Sequence, residues 1–507
     1  MSLQLILGNS GSGKSYELYK NIITASVQSP GTKFLVIVPE QFTMQTQKEL
    51  VRLHPKKGII NIDILSFQRL AHRIFEEVGA DRRTVLEDTG KTLMLRRAAA
   101  RHRDELRVLK GNLNKKGYLA QIKSMISEFA QYDINQEKME RMLEAGKERP
   151  QLYYKLKDLD ILYRGFQEEL AGKYITAEET LDALCQIADQ SEILKGCVIA
   201  LDGFTGFTPI QQKLLKELLV LAKEVYVTVT IDSREEFFRI YGEHELFYLS
   251  KKTIRTLSHM AEECGCEILE PQILTGKPLP RFQNSQELGF LENRIFRRRK
   301  GKVWNPSGKK EDISIHMAAN PMQESHYVGR SIRKLIREGY RYQEIAIITG
   351  DMEAYGDILP HVFQEYEIPI FMDSRRTVST NPYIDLLRAV LDLARQDVMV
   401  PGIFRVLRTG LCGLIPEEVD LLENYVLAAG MKSHSRWKKP FDWIPDGFLQ
   451  EDLDRCEEMR QQIMEPLETA RTVLRSGKTT VLEKTKELYQ LGVLFGIQHQ
   501  LAEYVSM

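Results

Sequence analysis

LQLILGNSGSGKSYELYK, residues 3–20, places an apolar run, a glycine-rich turn and a helical pattern in immediate succession. Within it Gly8, Gly13, Lys14 and Ser15 satisfy G-x-x-x-x-G-K-[ST], the pattern of a loop that cradles nucleotide phosphates. Such a loop turns its backbone N–H groups inward, which takes glycine wherever a Cβ would block the turn or the close approach. On this reading Gly8, Asn9, Ser10, Gly11, Ser12, Gly13, Lys14 and Ser15 form the cradle. Lys14 bridges the β- and γ-phosphates, and the Ser15 hydroxyl binds Mg²⁺. The helix that follows aims its positive end at the ligand, with Leu18 and Ile22 on one face. The ligand expected is ATP with Mg²⁺.

A phosphate loop needs a second strand that ends in an acidic residue. CVIALDGF (197–204) supplies one, with Asp202 after an apolar run. Buried strands that end in Asp are common, so a structural Asp is the competing reading. In hydrolysing motors the next residue is usually Glu, which activates water; here it is Gly203. That departure points to nucleotide binding with doubtful hydrolysis.

Outward from the loop, FLVIV (34–38) and IINIDIL (59–65) read as further buried strands between helical segments. Residues 87–188 are almost all helical in period, and strands resume at CVIALD (197–202) and VYVTVTID (225–232). The expectation is an α/β fold with a parallel sheet covered by helices on both faces, interrupted by a helical insertion. Residues 270–312 are turn-rich and contain RRRK (297–300). ISIHMAA (313–319) and EIAIIT (344–349) read as strands of a second α/β pattern, and the chain is helical after about residue 385. It stops at LAEYVSM in a helical region, which suggests a piece of something longer.

The chain has 507 residues, beyond the size at which single cores stop growing, so several domains are expected. Hydrophobic residues make up 43% and charged residues 28%, within the range of globular proteins. Lys+Arg and Asp+Glu both number 70, so there is no global basic field and any nucleic-acid contact must be local. Six scattered cysteines make no disulfide framework, and Cys264 and Cys266 lack the second pair a zinc knuckle needs. No signal peptide or membrane-spanning run is seen, and the compartment expected is the cytoplasm.

LILGNSGSGKS, VIVPEQFT, ILSFQRLAHRIF, ALDGFTGFTPIQ, IAIITGDMEAYGDIL and IPIFMDSRRTVSTNPYIDLLRAVLDL together resemble the N-terminal portion of the AddB family. Its members form one half of bacterial AddAB (RexAB-type) helicase–nucleases, and their N-terminal half is similar to UvrD-like superfamily 1 helicases. The resemblance runs from about residue 3 to the end. It implies RecA-like P-loop sheets with large helical insertions. A first RecA-like domain would occupy 1–80 and 190–285, with an insertion at 81–189. A second would start at 286–390, with a truncated helical insertion at 391–507.

The resemblance also implies single-stranded DNA on two segments, Gln41, Phe42 and Thr43 of PEQFT and Ser66, Phe67 and Gln68 of SFQRLA. Phe42 and Phe67 each follow a strand's C-terminal end, where open α/β sheets bind ligands and where a ring can stack on a base. Core packing is the alternative for each. RRRK, with Arg294 and Lys302, reads either as a phosphate contact or as a solvated linker.

The departures from superfamily 1 point one way. Only seven residues precede Gly8, leaving no room for an adenine-reading glutamine motif. Gly203 replaces the glutamate, TIDS (230–233) lacks its glutamine, and Gly350 stands where an arginine is usual. The resemblance thus implies a degenerate helicase portion of an ATP-dependent helicase–nuclease that processes DNA ends, alone catalytically inactive. It implies an AddA-type partner as motor. The nuclease Mg²⁺ and an iron–sulfur cluster are expected only beyond residue 507. A small-molecule P-loop kinase and a scaffold with a vestigial loop are the competing functions.

Overall fold

The computed structural model describes residues 1–79, 83–113, 115–276, 279–295, 297, 312–372, 378, 380–395 and 399–506. The chain divides into two compact units, Met1–Ile315 and His316–Met507.

The first unit is built on a parallel sheet. Its strands are β1 (Ser2–Gly8), β2 (Phe34–Ile37), β3 (Ile62–Leu65), β6 (Val198–Leu201), β7 (Glu224–Thr230), β8 (Glu267–Ile268) and β9 (Gln272–Leu274). The order is β3-β2-β6-β7-β1-β8, with β9 also on β1. β1 and β7 run in register from Ser2 against Glu224 to Gly8 against Thr230. β4 (Thr84–Leu86) and β5 (Tyr174–Thr176) form a separate parallel pair.

Alternation along each strand covers the sheet twice. Ile6 and Val36 pack with Leu18, Ile22 and Leu50 of α1 (Lys14–Gln28) and α2 (Thr43–Leu53). Leu5, Leu7, Leu35 and Ile37 face the other way. They meet Leu70 and Ile74 of α3 (Phe67–Val78), Leu214 and Leu218 of α9 (Pro209–Leu221) and Ile254 of α10 (Tyr248–Glu263).

The helical insertion comprises α4 (Asp88–Arg101), α5 (Lys116–Gln131), α6 (Gln136–Gly146) and α7 (Pro150–Leu170), and α8 (Ala177–Ile187) returns to the sheet. Its own core includes Leu95, Ile122, Leu159, Leu162 and Phe166. The Asp158 side chain, 2% exposed, anchors it by accepting the backbone N–H groups of Arg107, Val108 and Leu109. The turn-rich reading of 270–312 missed β9 and α11 (Gln286–Arg294). A three-residue strand gives too short a period to be read from sequence.

In the second unit, α12 (Pro321–Arg337), α13 (Met352–Tyr355) and α14 (Ile358–Glu365) surround a small core of Ile332, Leu359, Val362, Phe363 and Ile368. The strands read at 313–319 and 344–349 are not formed; both segments lack a ladder. The physical reason is the missing neighbour. A strand exists only where another pairs with it, and Ile315, Met317 and Ile348 are 96%, 92% and 95% exposed. The remaining helices follow the helical expectation for the region: α15 (Pro382–Arg395), α16 (Met399–Leu407), α17 (Pro416–Ala428), α18 (His434–Trp437), α19 (Gln450–Arg475), α20 (Val481–Leu494) and α21 (Ile497–Ser506). They pack on Leu386, Leu422, Tyr425, Trp437, Cys456 and Ile463.

The architecture is α/β, a RecA-like parallel P-loop sheet carrying large helical additions, as the sequence implies. Among the described residues no helix is long and apolar enough to cross a membrane.

Candidate phosphate site and its neighbouring surface

β1 ends at Gly8 and α1 begins at Lys14, so the loop sits at the C-terminal edge of the sheet, where ligands bind. Gly11 and Gly13 hold φ of +81° and +90°, in the region that L side chains avoid. At Gly8 the constraint is space instead: a Cβ there would lie 2.5 Å from Ser12 Oγ. Ser10 is exposed at the rim, and Ser12 is buried with an Oγ that finds no hydrogen-bond partner among the described residues. The Lys14 ammonium folds back onto the carbonyls of Gly8 and Asn9 at 3.0 and 2.9 Å. Burial pushes its pKa down to about 8; the Asp202 carboxylate pulls against that, and the Arg281 guanidinium adds to it.

Asp202 stands at the end of β6, two strands from β1, and is 6% exposed. It accepts hydrogen bonds from Ser15 Oγ (3.1 Å), Tyr19 OH (2.7 Å) and Thr228 Oγ1 (2.6 Å). Burial, with Asp202 beside it, keeps the Tyr19 phenol protonated well above its ordinary range. The donor set fits a magnesium-bound nucleotide phosphate. It offers an ammonium, a hydroxyl on a buried carboxylate, left-handed glycines and one orphaned buried oxygen. Gly203 follows at φ +80°, beside Pro39 and Phe42. That backbone disfavours every β-carbon, so the position next to Asp202 is closed to an unstrained glutamate.

Asn9, 8% exposed, ties the loop to two other segments. Its Oδ1 accepts from the Ser233 N–H at 3.2 Å and its Nδ2 donates to Glu292 at 3.0 Å. Within TIDS, Asp232 is held by Arg234 and by Arg297 at 2.8 Å. Burial would raise its pKa, but the Arg234 hydrogen bonds and both arginine charges outweigh that and hold it low. Arg297 is therefore committed inside the fold. Arg294 lies over the Phe290 ring, and residues 298–300 and Lys302 lie outside the described residues.

The two aromatic segments are brought together by an ion pair, Arg69 to Glu40 at 2.9 Å. Gln41 and Gln68 are exposed, and Phe42 is 42% exposed with Met44 (61%) nearby in sequence. Thr43 and Ser66 spend their hydroxyls locally: Thr43 Oγ1 donates to the Glu40 carbonyl, and Ser66 Oγ caps α3 by accepting the Arg69 N–H. Phe67 is only 5% exposed, its ring 5.4 Å from Phe204 and 6.4 Å from Phe207. It takes the core alternative, and Phe42 alone of the two faces solvent.

Sequence reasoning missed Tyr19, Thr228, Arg281 and Glu292. Tyr19 carried a signal, since it lies one helical turn past Ser15 and so on the same face. The other three are far from the loop in sequence, and nothing local marks them.

Residues 5–292 match the family model described as ADDB, N-terminal. The chain is 41% identical over its whole length to the B-type subunit of the ATP-dependent helicase/deoxyribonuclease of Lachnoclostridium phytofermentans, covering 44% of that protein. It is 34% identical to the protein of the same description from Desulforudis audaxviator, with 97% of this chain and 43% of that one aligned. For Clostridium novyi the identity is 31%, over 100% of this chain and 44% of the relative. The chain thus spans less than half the length of the curated relatives it matches.

Proposed function

This chain belongs to the AddB N-terminal family, and from that premise we propose that it is the nucleotide-binding, DNA-contacting portion of an ATP-dependent helicase–nuclease subunit that processes DNA ends in recombinational repair. Segments 1–80 and 190–285 serve as the first RecA-like domain, with 81–189 inserted. Segment 286–390 opens the second, and 391–507 is a helical insertion within it. An AddA-type subunit supplies the motor. The nuclease Mg²⁺ and iron–sulfur cluster belong to the length of the relatives that this chain does not span, and the bacterial cytoplasm is the compartment.

The observation that carries this reading is the Ser15–Asp202 hydrogen bond with a left-handed glycine immediately after the carboxylate. The first half is what a magnesium-bound nucleotide needs, and the second withholds the base that hydrolysis needs. ATP is bound here and not turned over. The loop from Gly8 to Ser15 would hold its phosphates, Ser15 and Asp202 would hold the Mg²⁺ that offsets their charge, and single-stranded DNA crosses Gln41, Phe42 and Gln68. Thr43, Ser66 and Phe67 shape that surface from beneath.

The test pairs binding of a fluorescent ATP analogue with ATP turnover, each with and without single-stranded DNA. Binding with negligible turnover is expected. Turnover near about 1 s⁻¹, the lower end of typical enzyme rates, would sink the binding-only reading. Absence of binding would remove the phosphate loop from the account.

A further inference from the structure

We propose that Arg281 is a second phosphate-binding cation of this site, presented by a strap that crosses the loop; the proposal rests on the reading that Gly8–Ser15 binds nucleotide phosphates. β9 runs beside Ile6–Gly8 of β1, so the chain leaving it arrives at the rim of the loop. There the Arg281 N–H donates to the Gly11 carbonyl at 3.2 Å. A Cβ at Gly11 would stand 2.9 Å from Arg281 Cβ and 3.3 Å from its Cδ, so glycine is required for the strap to lie this close. Pro280 lies over Gly13 at ordinary contact distance, its Cγ 3.9 Å from where a Cβ there would stand. Further along, the strap is tied down by Asn9 on Glu292 and by Arg234 on Asn293 at 2.7 Å.

The charges explain what the strap is for. Arg281 is exposed, and among the described residues its guanidinium makes no ion pair or hydrogen bond. It stands close enough to Lys14 to disfavour that ammonium's charge. Two cations thus converge on a loop whose facing carboxylate, Asp202, already accepts three hydrogen bonds. Like charges brought together are uphill unless an anion joins them. A guanidinium is suited to a phosphate, which it grips through two parallel N–H bonds. The ligand chemistry is therefore a nucleoside di- or triphosphate, whose terminal charge two cations share. A nucleoside monophosphate gains little from the second.

The experiment is a titration of the full chain with ATP and with AMP, displacing a fluorescent ATP analogue, in wild type, R281A, R281K and K14A. Expected is an ATP affinity about tenfold or more weaker in R281A, the scale of one charged hydrogen bond, with AMP changed far less and R281K between the two. Two results would overturn the proposal while leaving the loop reading intact. One is ATP binding in R281A within about twofold of wild type when K14A has lost it. The other is an equal loss for ATP and AMP that lysine does not repair, which would make residue 281 a packing element. A wild type that binds neither nucleotide would overturn the loop reading and this proposal together.

Discussion

Lys14 carries a consequence that pH reads directly. With its pKa pushed down to about 8 by burial, its ammonium is charged below that pH and increasingly neutral above it. A bound polyphosphate stabilises the charged form, so binding above pH 8 must also take up a proton. Nucleotide affinity should be flat from about pH 6 to 7.5 and fall as pH rises through 8 to 9.5. Calorimetry in buffers of different ionisation heat should show proton uptake at pH 9 and none at pH 7. A flat profile would mean that Lys14 does not meet the phosphates. Gly203 makes the second prediction at this scale. Restoring the missing glutamate by Gly203→Glu should not restore hydrolysis, because the residue sits at φ +80° and the exchange costs about 1–2 kcal/mol of backbone strain. A stable, hydrolysing Gly203→Glu protein would show that the glycine was never the obstacle. The loop was legible because its chemistry is local, eight residues in a row. Arg281 was not, since only the pairing of β9 with β1 brings it there.

At the scale of elements, α3 separates two aromatics that the sequence could not rank. Both follow a strand end, but Phe67 is the first residue of α3 and turns inward to Phe204 and Phe207. Phe42 ends a short turn of helix, Glu40–Phe42, and stays half outside. Phe67→Ala should lower stability by about 3–5 kcal/mol, the cost of emptying a packed aromatic site. Phe42→Ala should leave the melting temperature within error and weaken single-stranded DNA binding by about 1–3 kcal/mol, the worth of one stacked base. Denaturant melts and DNA titrations on the two variants decide this, and the opposite pattern would reverse the assignment. In the helical insertion, Asp158→Ala should cost about 1–3 kcal/mol, since the buried Leu109 N–H and the partly buried N–H groups of Arg107 and Val108 lose one acceptor. The buried strands of the first sheet were legible as apolar runs, because both faces are covered. The same reasoning failed at 313–319 and 344–349. Apolar composition marks a segment that suits a strand, but pairing is a property of the neighbour, and sequence pattern does not report it.

For the molecule as a whole, equal numbers of acidic and basic residues set the form of the DNA prediction. Without a net charge there is no long-range attraction, so binding to single-stranded DNA depends on the few cations that meet phosphates. The logarithm of the affinity should fall linearly with the logarithm of salt concentration, with a slope of about 0.7 per phosphate neutralised. A shallow slope is expected of a local path over PEQFT and SFQRLA, whose exposed Gln41 and Gln68 are neutral and whose Arg69 is paired with Glu40. Stacking on Phe42 is insensitive to salt, so Phe42→Ala should lower the line and leave its slope unchanged. A slope that changes with Phe42→Ala would mean that the substitution moved the backbone contacts, and that the aromatic shapes the path instead of stacking on it. Affinity independent of salt would deny a phosphate path on this surface altogether. The same titration with ATP present asks whether the loop and the DNA surface are linked. Gly203 lies beside Phe42 and directly follows Asp202, so a nucleotide that shifts Asp202 acts one residue from the aromatic. ATP should then change DNA affinity by a measurable factor, and by thermodynamic reciprocity DNA should change ATP affinity by the same factor. Lys14→Ala should abolish both effects together. Coupling that persists in both directions in Lys14→Ala would place the nucleotide somewhere other than this loop.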